Sequence, residues 1–372
     1  VDRPLHILHL TIGADAGGLS RYIIDLCVAM RALGHRCTVA GDSGAWDWAF
    51  RDAGVDYVTI PLKRGLTGFR GSLRTLRPWL ARQTEQPVDV LHTHYRRATL
   101  LGRRLQSHTA SGRRTPPLLY TLHLSHIAIG WFRSWLTDFG DHTHAASLDA
   151  VDWLRDDARV PASQIHYVPH GVDVAKFAPP DPAARAAARA RLGVNDGEVM
   201  AMYVGRLDWP KNEEWLLDVD EQLHRRGVKA KLFFVGEGPH EAMLKTRIAA
   251  EGSTGRVFVV GHQDPKPFYH AADALLLPSQ REGFSFVCAE AMACGVPCLR
   301  TRTSGTRELI VENTTGLSVP IEKDAFVSGA TAFLSDRPAL GSMGTAARRH
   351  VEQFSFARQL ERTLALYRQL VA

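Results

Sequence analysis

The chain reads as an α/β protein built from two Rossmann-like domains, each a parallel sheet with crossover helices. Three observations predict it. Its 372 residues exceed what one hydrophobic core usually organises. Short apolar runs alternate with amphipathic stretches in both halves. A proline-bearing break near the middle separates the two series. The 45% hydrophobic and 23% charged residues, with a mean hydropathy of -0.15, suit a folded globular protein.

In the first half, strands are expected at 5–10, 36–40, 57–60, 88–93, 118–122 and 165–168. Gly13 to Gly18 supply a turn after the first strand, a helix follows over 21–33, and Gly34 suits its C-terminal cap. Residues 175–196 carry Pro179, Pro180, Pro182 and an alanine/arginine run, and read as a linker leading into a short helix. Domains of 1–174 and 197–352 result. In the second, strands at 199–204, 231–235, 256–260, 274–277, 297–301 and 316–319 alternate with helices at 213–226, 241–250 and 287–293. The terminal segment 353–372 holds a helix over 356–370, with Leu360, Leu364, Tyr367 and Val371 spaced for one buried face.

No apolar run approaches the roughly 18 residues of a membrane span, and no basic-then-apolar leader opens the chain, so a cytoplasmic location is expected. Cys27, Cys37, Cys288, Cys294 and Cys298 are odd in number and lack metal spacing, which fits free thiols in a reducing compartment. The net charge of +6 is unevenly placed: Lys63 to Arg114 hold twelve Lys/Arg against Glu85 and Asp89. Solvated helix faces account for such a run as readily as a patch for an acidic acceptor or for anionic lipid on the inner face of the plasma membrane. Sparse aromatic residues argue against nucleic acid.

The chemistry concentrates in Pro278-Ser279-Gln280-Arg281-Glu282-Gly283-Phe284-Ser285-Phe286-Val287, running on to Glu290 and Gly295-Val296-Pro297. A buried strand, a glycine turn and a helix follow one another here, so unpaired backbone N–H groups and the positive end of a helix meet at one point, which suits an anion. Glu282 at the turn and Glu290 inside the helix, seven residues between them, can accept sugar and ribose hydroxyls. Two isolated glutamates would be ordinary surface residues; in this setting they are not.

This stretch resembles the retaining GT-B glycosyltransferases of family four, whose hallmark is Glu, seven residues, Glu within Pro-Ser-x-x-Glu-Gly-Phe and Glu-Ala-Met-Ala-x-Gly-x-Pro. The resemblance implies two Rossmann-like domains facing each other across a deep cleft, with the final helix packing back on the first. It also implies transfer of a sugar from a nucleoside diphosphate sugar, a UDP-sugar ahead of a GDP-sugar, to a hydroxyl of a saccharide, lipid-linked or small-molecule acceptor. No cofactor or metal is required by it, since Arg206 and Lys211, matching the family's Gly-Arg-Leu and downstream Lys, can stabilise the departing diphosphate.

Other positions follow from the same resemblance. Amides of Ser285, Phe286 and Val287 face phosphate, Glu290 holds ribose, and Gly236 and His262 frame the nucleobase through main-chain groups. Glu282, Gly283, Phe284 and His123, the last in Thr121-Leu122-His123, orient the sugar. Gly17 and Gly18 let the backbone approach the donor closely. Asp15, Tyr95 and Arg96, at ends of first-half strands, are the acceptor candidates. A metal at His92-Thr93-His94 or His142-Thr143-His144 is not expected, because no carboxylate or cysteine completes either set.

Three departures from the family pattern stand out: His170-Gly171-Val172-Asp173 for Asn-Gly-Val-Asp, Lys211-Asn212 for Lys-Gly, and Ser285 for a glycine. A nucleotide-sugar epimerase and a non-catalytic sugar-nucleotide-binding module share the plan and are the rival readings. A dinucleotide oxidoreductase is disfavoured, because the Gly13–Gly18 turn lacks the spaced three-glycine fingerprint.

Overall fold

A computed structural model describes residues 3–15, 17–107, 115–123 and 137–372. Its contacts divide the chain into two units, Val1–Pro169 with Gln359–Ala372, and His170–Arg358. Each unit is a single parallel sheet flanked by helices.

The first sheet has seven strands in the order β3-β2-β1-β4-β5-β6-β7. They are β1 (His6–Gly13), β2 (Arg36–Asp42), β3 (Asp56–Thr59), β4 (Val90–Thr93), β5 (Leu118–Leu122), β6 (His142–Ala145) and β7 (Ile165–Tyr167). Leu8, Leu10, Leu91 and Leu118 are buried on its middle strands, and Leu76 and Leu101 pack against them from the Gly65–Ala81 and Arg96–Gln106 helices. β6 was not among the expected strands. Its His142-Thr143-His144 run carries no apolar signal, because its stability comes from side-chain hydrogen bonds to the neighbouring strands.

The second sheet has six strands in the order β10-β9-β8-β11-β12-β13. They are β8 (Val199–Val204), β9 (Ala230–Val235), β10 (Val257–Gly261), β11 (Ala274–Leu277), β12 (Cys298–Thr301) and β13 (Gly316–Val319). β8 is buried throughout and reads as a continuous apolar run, as a central parallel strand must. Within the segment read as a linker, the Pro182–Arg191 helix is capped by Asp181, whose Oδ1 accepts from Ala184 N at 2.7 Å. Arg185 and Arg189 on that helix grip Asp273 at 2.6 and 3.1 Å, which places the helix in the second unit.

In each sheet the strand order reverses at one place, between β1 and β4 in the first and between β8 and β11 in the second. Chain direction makes the carboxyl ends of these strands open into a crevice there, where α/β sheets bind ligands.

The last helix, Phe356–Val371, starts in the second unit, with Phe356 N donating to Val172 O at 2.8 Å, and contributes Gln359 onward to the first. Its buried face differs from the expected one: Gln359, Thr363, Leu366, Tyr367, Leu370 and Val371 are buried, while Leu360 and Leu364 are half-buried. Polar residues join the stripe because they find partners. Thr363 Oγ1 donates to Gln359 O at 2.8 Å, and Tyr367 OH lies 2.6 Å from His92 Nδ1. Among the described residues no helix is long and apolar enough to cross a membrane, and all five cysteines are buried free thiols.

Candidate functional site

In the second unit, the chain leaving β8 at Gly205 and the chain leaving β11 at Pro278 are clamped together. Gln280 N donates to Pro210 O at 2.8 Å, Asn212 Nδ2 to Pro278 O at 3.0 Å, and Gln280 Nε2 to Asn212 Oδ1 at 3.1 Å. Asn212 sits at φ 51, left-handed backbone where glycine is most at ease. Asparagine tolerates that region and here supplies two clamp bonds, which accounts for its standing where the family has glycine.

The clamp brings Lys211 to Glu282. Lys211 Nζ donates to Glu282 Oε1 at 2.7 Å, and Ser279 Oγ donates to the same oxygen at 2.7 Å. Burial alone would raise the Glu282 carboxyl. The charges of Lys211 and Arg300 and the two hydrogen bonds outweigh it and hold the group below its usual range, ionised. Arg206, next along from Gly205, is largely exposed and paired with Asp208.

The Phe286–Ala293 helix begins at Ser285 with no side-chain cap, and the Ser285 hydroxyl is buried without a hydrogen-bond partner. Glu290 lies one turn inside, where Tyr269 OH donates to its Oε2 at 3.0 Å and fixes the carboxylate. Phe286 stacks on His170 at 5.2 Å between ring centroids and Phe284 meets the same ring edge-on at 6.1 Å, so His170, where the family has asparagine, is a packing partner of this loop.

The ends of β8, β9 and β10 are laced as well. Gly205 N donates to Val235 O, Gly236 N to Gly261 O and Leu207 N to Glu237 O, at 3.1, 2.8 and 2.9 Å. A Cβ on Gly236, at φ 153, would stand 1.8 Å from Gly205 O. Gly236→Ala should therefore cost about 3 kcal/mol, seen as a lower urea midpoint for the second unit; an unchanged midpoint would mean that this close approach of strand ends does not matter. His262 is exposed just beyond β10.

Two side chains in this region escaped sequence reading. Arg300 is fully buried on β12, with Nη2 donating to Thr303 Oγ1 at 2.6 Å and Ser304 O at 3.1 Å, and its charge bears on Glu282. An arginine inside an otherwise apolar strand was the available signal. Buried Glu213 lies 2.7 Å from His240 Nδ1 and ties the segment after Lys211 to the segment after β9; burial raises its pKa against the opposing pull of its hydrogen bonds.

In the first unit, Gly17 at φ 146 precedes the Gly18–Ala32 helix and Gly18 opens it. Asp15 pairs with Lys63 at 2.6 Å. Tyr95 is exposed at the start of the Arg96–Gln106 helix, and Arg96 Nη2 donates to Thr137 Oγ1 at 2.6 Å. The basic run is partly neutralised, because Arg103 pairs with Asp138 at 2.8 Å and with Asp141 at 2.5 Å; Arg113 and Arg114 lie outside the described residues.

His123, just past β5, belongs to a set of imidazoles that crosses the sheet. His94 Nδ1 lies 3.2 Å from His123 Nε2, and His9 Nδ1 lies 3.0 Å from His94 Nε2. A second line runs from Tyr367 OH through His92 (2.6 Å), Thr121 (2.5 Å) and His144 (3.0 Å) to Val168 O (2.6 Å). A carbonyl only accepts, so His144 donates from Nε2, Thr121 donates to His144 Nδ1, His92 donates from Nε2, and the tyrosine donates to His92 Nδ1. Burial, together with neighbouring imidazoles, depresses the pKa of His94 well below its ordinary value, that of His123 to about 3 and, with burial again dominant, that of His144 to about 4.

Among the described residues, three sets bring possible metal-ligating atoms together: His9, His92 and His94; His9, Cys27 and Cys37; and Glu213, Glu214 and His240. The histidine pair His92 and His94 thus gains His9 as a third neighbour that sequence spacing did not suggest. The nitrogens of His92 and His94 are engaged in the hydrogen bonds above.

Comparison with known proteins matches both units. A model described as glycosyl transferases group 1 matches residues 184–350, and one described as glycosyltransferase family 4 matches residues 16–176. A D-inositol 3-phosphate glycosyltransferase of an Arthrobacter species is 28% identical over 95% of this chain and 90% of its own length. Its counterpart from Saccharomonospora viridis is 31% identical over 56% of this chain, which spans about half (51%) of that relative's length. Among solved structures, a glycosyltransferase of Rickettsia africae superposes with a TM-score of 0.83 at 18% identity over 99% of both chains. The Anabaena HepE protein in complex with UDP and glucose gives 0.79 at 20% identity over 98% of this chain and 99% of that one. Both halves being matched, and in the order found here, the chain is a glycosyltransferase of family four, group 1, with the GT-B fold.

Proposed function

We propose that the protein transfers a sugar from a nucleoside diphosphate sugar to an acceptor hydroxyl with retention of anomeric configuration. The observation that carries this reading is the convergence of Lys211, Glu282 and the start of the Phe286–Ala293 helix at the β8/β11 switch point.

On this reading the amides of Ser285, Phe286 and Val287 meet the diphosphate, and Arg206 and Lys211 neutralise the charge that grows on it as the glycosidic bond breaks. Glu290, steadied by Tyr269, accepts the ribose hydroxyls. Gly236 and His262 border the base, and Gly17 and Gly18 let the backbone approach the donor closely. Glu282, Gly283, Phe284 and His123 orient the sugar. The departing phosphate oxygen takes the acceptor proton on the face it leaves, so no enzyme nucleophile forms a covalent intermediate. Side-chain cations balance the diphosphate, and added chelator should leave turnover within about twofold.

A structural neighbour is complexed with UDP and glucose, which puts UDP-sugars first, and a mannosyltransferase relative named as GDP-mannose-dependent puts GDP-mannose next. Relatives named for D-inositol 3-phosphate make that anionic cyclitol the first acceptor to try, with Asp15, Tyr95 and Arg96 at the ends of β1 and β4 as contacts. The test is incubation with UDP-glucose, UDP-N-acetylglucosamine or GDP-mannose, with and without D-inositol 3-phosphate, and NMR of the product. An α-linked product from an α-donor is expected. A β-linked product contradicts retention, an epimerised donor formed without acceptor points to the epimerase, and tight donor binding without any nucleoside diphosphate release points to the non-catalytic module.

A further inference from the structure

Under the Gly18–Ala32 helix lies a cluster that has no part in the donor site. His9 on β1, Cys27 on the helix and Cys37 on β2 are each at most 1% exposed, and one ligand atom from each lies within 4.8 Å of the other two. The Cys37 thiol is hydrogen-bonded to both the Cys27 thiol and the His9 imidazole. His9 Nδ1 lies 3.0 Å from His94 Nε2, which leaves Nε2 as the ring nitrogen for the sulfurs. A cavity of about 220 Å³, with Arg31, His35, Arg36, Asp56 and Gln86 in its walls, reaches Cys37 from solvent.

Packing alone does not ask for two thiols and an imidazole in contact, since sulfur is a weak donor and a weak acceptor. As ligands the three are well matched. Thiolate sulfur with imidazole nitrogen favours zinc over magnesium or calcium. Ligand atoms around one zinc stand roughly 3.5–3.8 Å apart, so these atoms need shifts on the order of 1 Å to enclose it. Two thiolates cancel the charge of one Zn²⁺, and the assembly is neutral where burial would penalise an unbalanced ion. Arg31, whose charge bears on both thiols, is exposed and donates to the Ala53 and Gly54 carbonyls, so solvent screens it.

We propose that Cys27, Cys37 and His9 Nε2 form a reversible zinc site that clips the Gly18–Ala32 helix to β1 and β2. The thiol protons leave to the buffer as the ion enters, the ring proton of His9 stays on Nδ1 and donates to His94 Nε2, and water from the cavity side takes the fourth position. Three protein ligands hold zinc less tightly than a closed set of four, so the ion exchanges and the clip follows free zinc. The ion has no step in sugar transfer. Its loss reads in the stability of the first unit, while the folded chain turns over with or without it, in agreement with the tolerance of chelator expected above.

The test uses the full chain, reduced and stripped by chelator, then titrated with Zn²⁺ alone or with Co²⁺ as its spectroscopic stand-in. One ion per chain, a thiolate-to-cobalt charge-transfer band, and a melting temperature raised by about 5 °C or more at zinc 100-fold above Kd are expected. Cys37→Ser and Cys27→Ala should each weaken binding by more than about 100-fold, whereas His94→Leu should cost the ~10–100-fold usual for an outer-shell partner. Should these variants fold poorly, zinc K-edge absorption on the unaltered chain decides, with two sulfur neighbours expected beside nitrogen and oxygen. A shell of nitrogen and oxygen alone overturns the proposal. So does a charge-transfer band that survives replacement of both Cys27 and Cys37, which would place the ion on other thiols. Zinc bound as expected by a chain that transfers no sugar upholds the site and leaves the failure with the transferase reading.

Discussion

Lys211→Ala should lower kcat by about 10²- to 10³-fold, the loss usual for one preorganised charge partner of a developing anion. The ammonium is one-quarter exposed and its partner Glu282 13% exposed, so the pair sits where solvent screens it only partly. Removing Lys211 does not strand the carboxylate, because the Ser279 hydroxyl still donates to it and buried Arg300 still faces it. Folding should therefore suffer far less than turnover, and a melting curve alongside the kinetics separates the two. Lys211→Arg keeps the charge without the compact ammonium and should recover only part of the rate. A rise in donor KM with kcat intact would instead assign Lys211 to ground-state binding.

Acid should open the first unit before the second. Among the described residues, His6, His35, His94, His123, His144 and His166 in the first unit are held below the ordinary histidine pKa, burial being the largest cause in each, as is His270 in the second. For a histidine whose folded pKa is depressed, the unfolded chain binds the proton first. Stability is then intact above the unfolded value and falls as pH drops below about 6.5, continuing down to the folded pKa. With His123 near 3 and His144 near 4, each loses about 2 kcal/mol by pH 5. Together that is a large share of the ~5–15 kcal/mol of a typical domain. Hydrogen exchange at pH 5 and pH 8, corrected for intrinsic rates, should show β4, β5 and β6 losing protection while β8, β9 and β11 keep theirs. Equal loss in both sheets would contradict the assignment of neutral, buried imidazoles.

The parallel sheets were legible because their strands are apolar runs punctuated by glycine, and the donor-side loop because Glu282, Gly283 and Glu290 come in a distinctive order. What stayed hidden depends on contacts across long sequence distances. β6 carries no apolar run, and the side-chain partners of His144, Thr121 on β5 and the Val168 carbonyl just past β7, lie on either side of it in the chain. The buried face of the last helix was misjudged at Leu360 and Leu364, because apolar periodicity cannot anticipate that Tyr367 will donate to His92, 275 residues away. Arg300 was passed over for the same reason, as nothing local marks which buried charge it will face. Asn212 stands out in the sequence as a departure from the family's glycine, and its left-handed backbone, which explains it, is a property of the folded loop.

A crystal soaked with UDP or GDP tests the donor site most directly. Density for the diphosphate is expected within hydrogen-bond reach of Lys211 and the amides of Ser285 to Val287, with Arg206 swung onto it, the ribose on Glu290, and Glu290→Ala abolishing occupancy at the same concentration. A nucleotide seated away from the carboxyl ends of β8 and β11, or occupancy indifferent to Glu290, would contradict it.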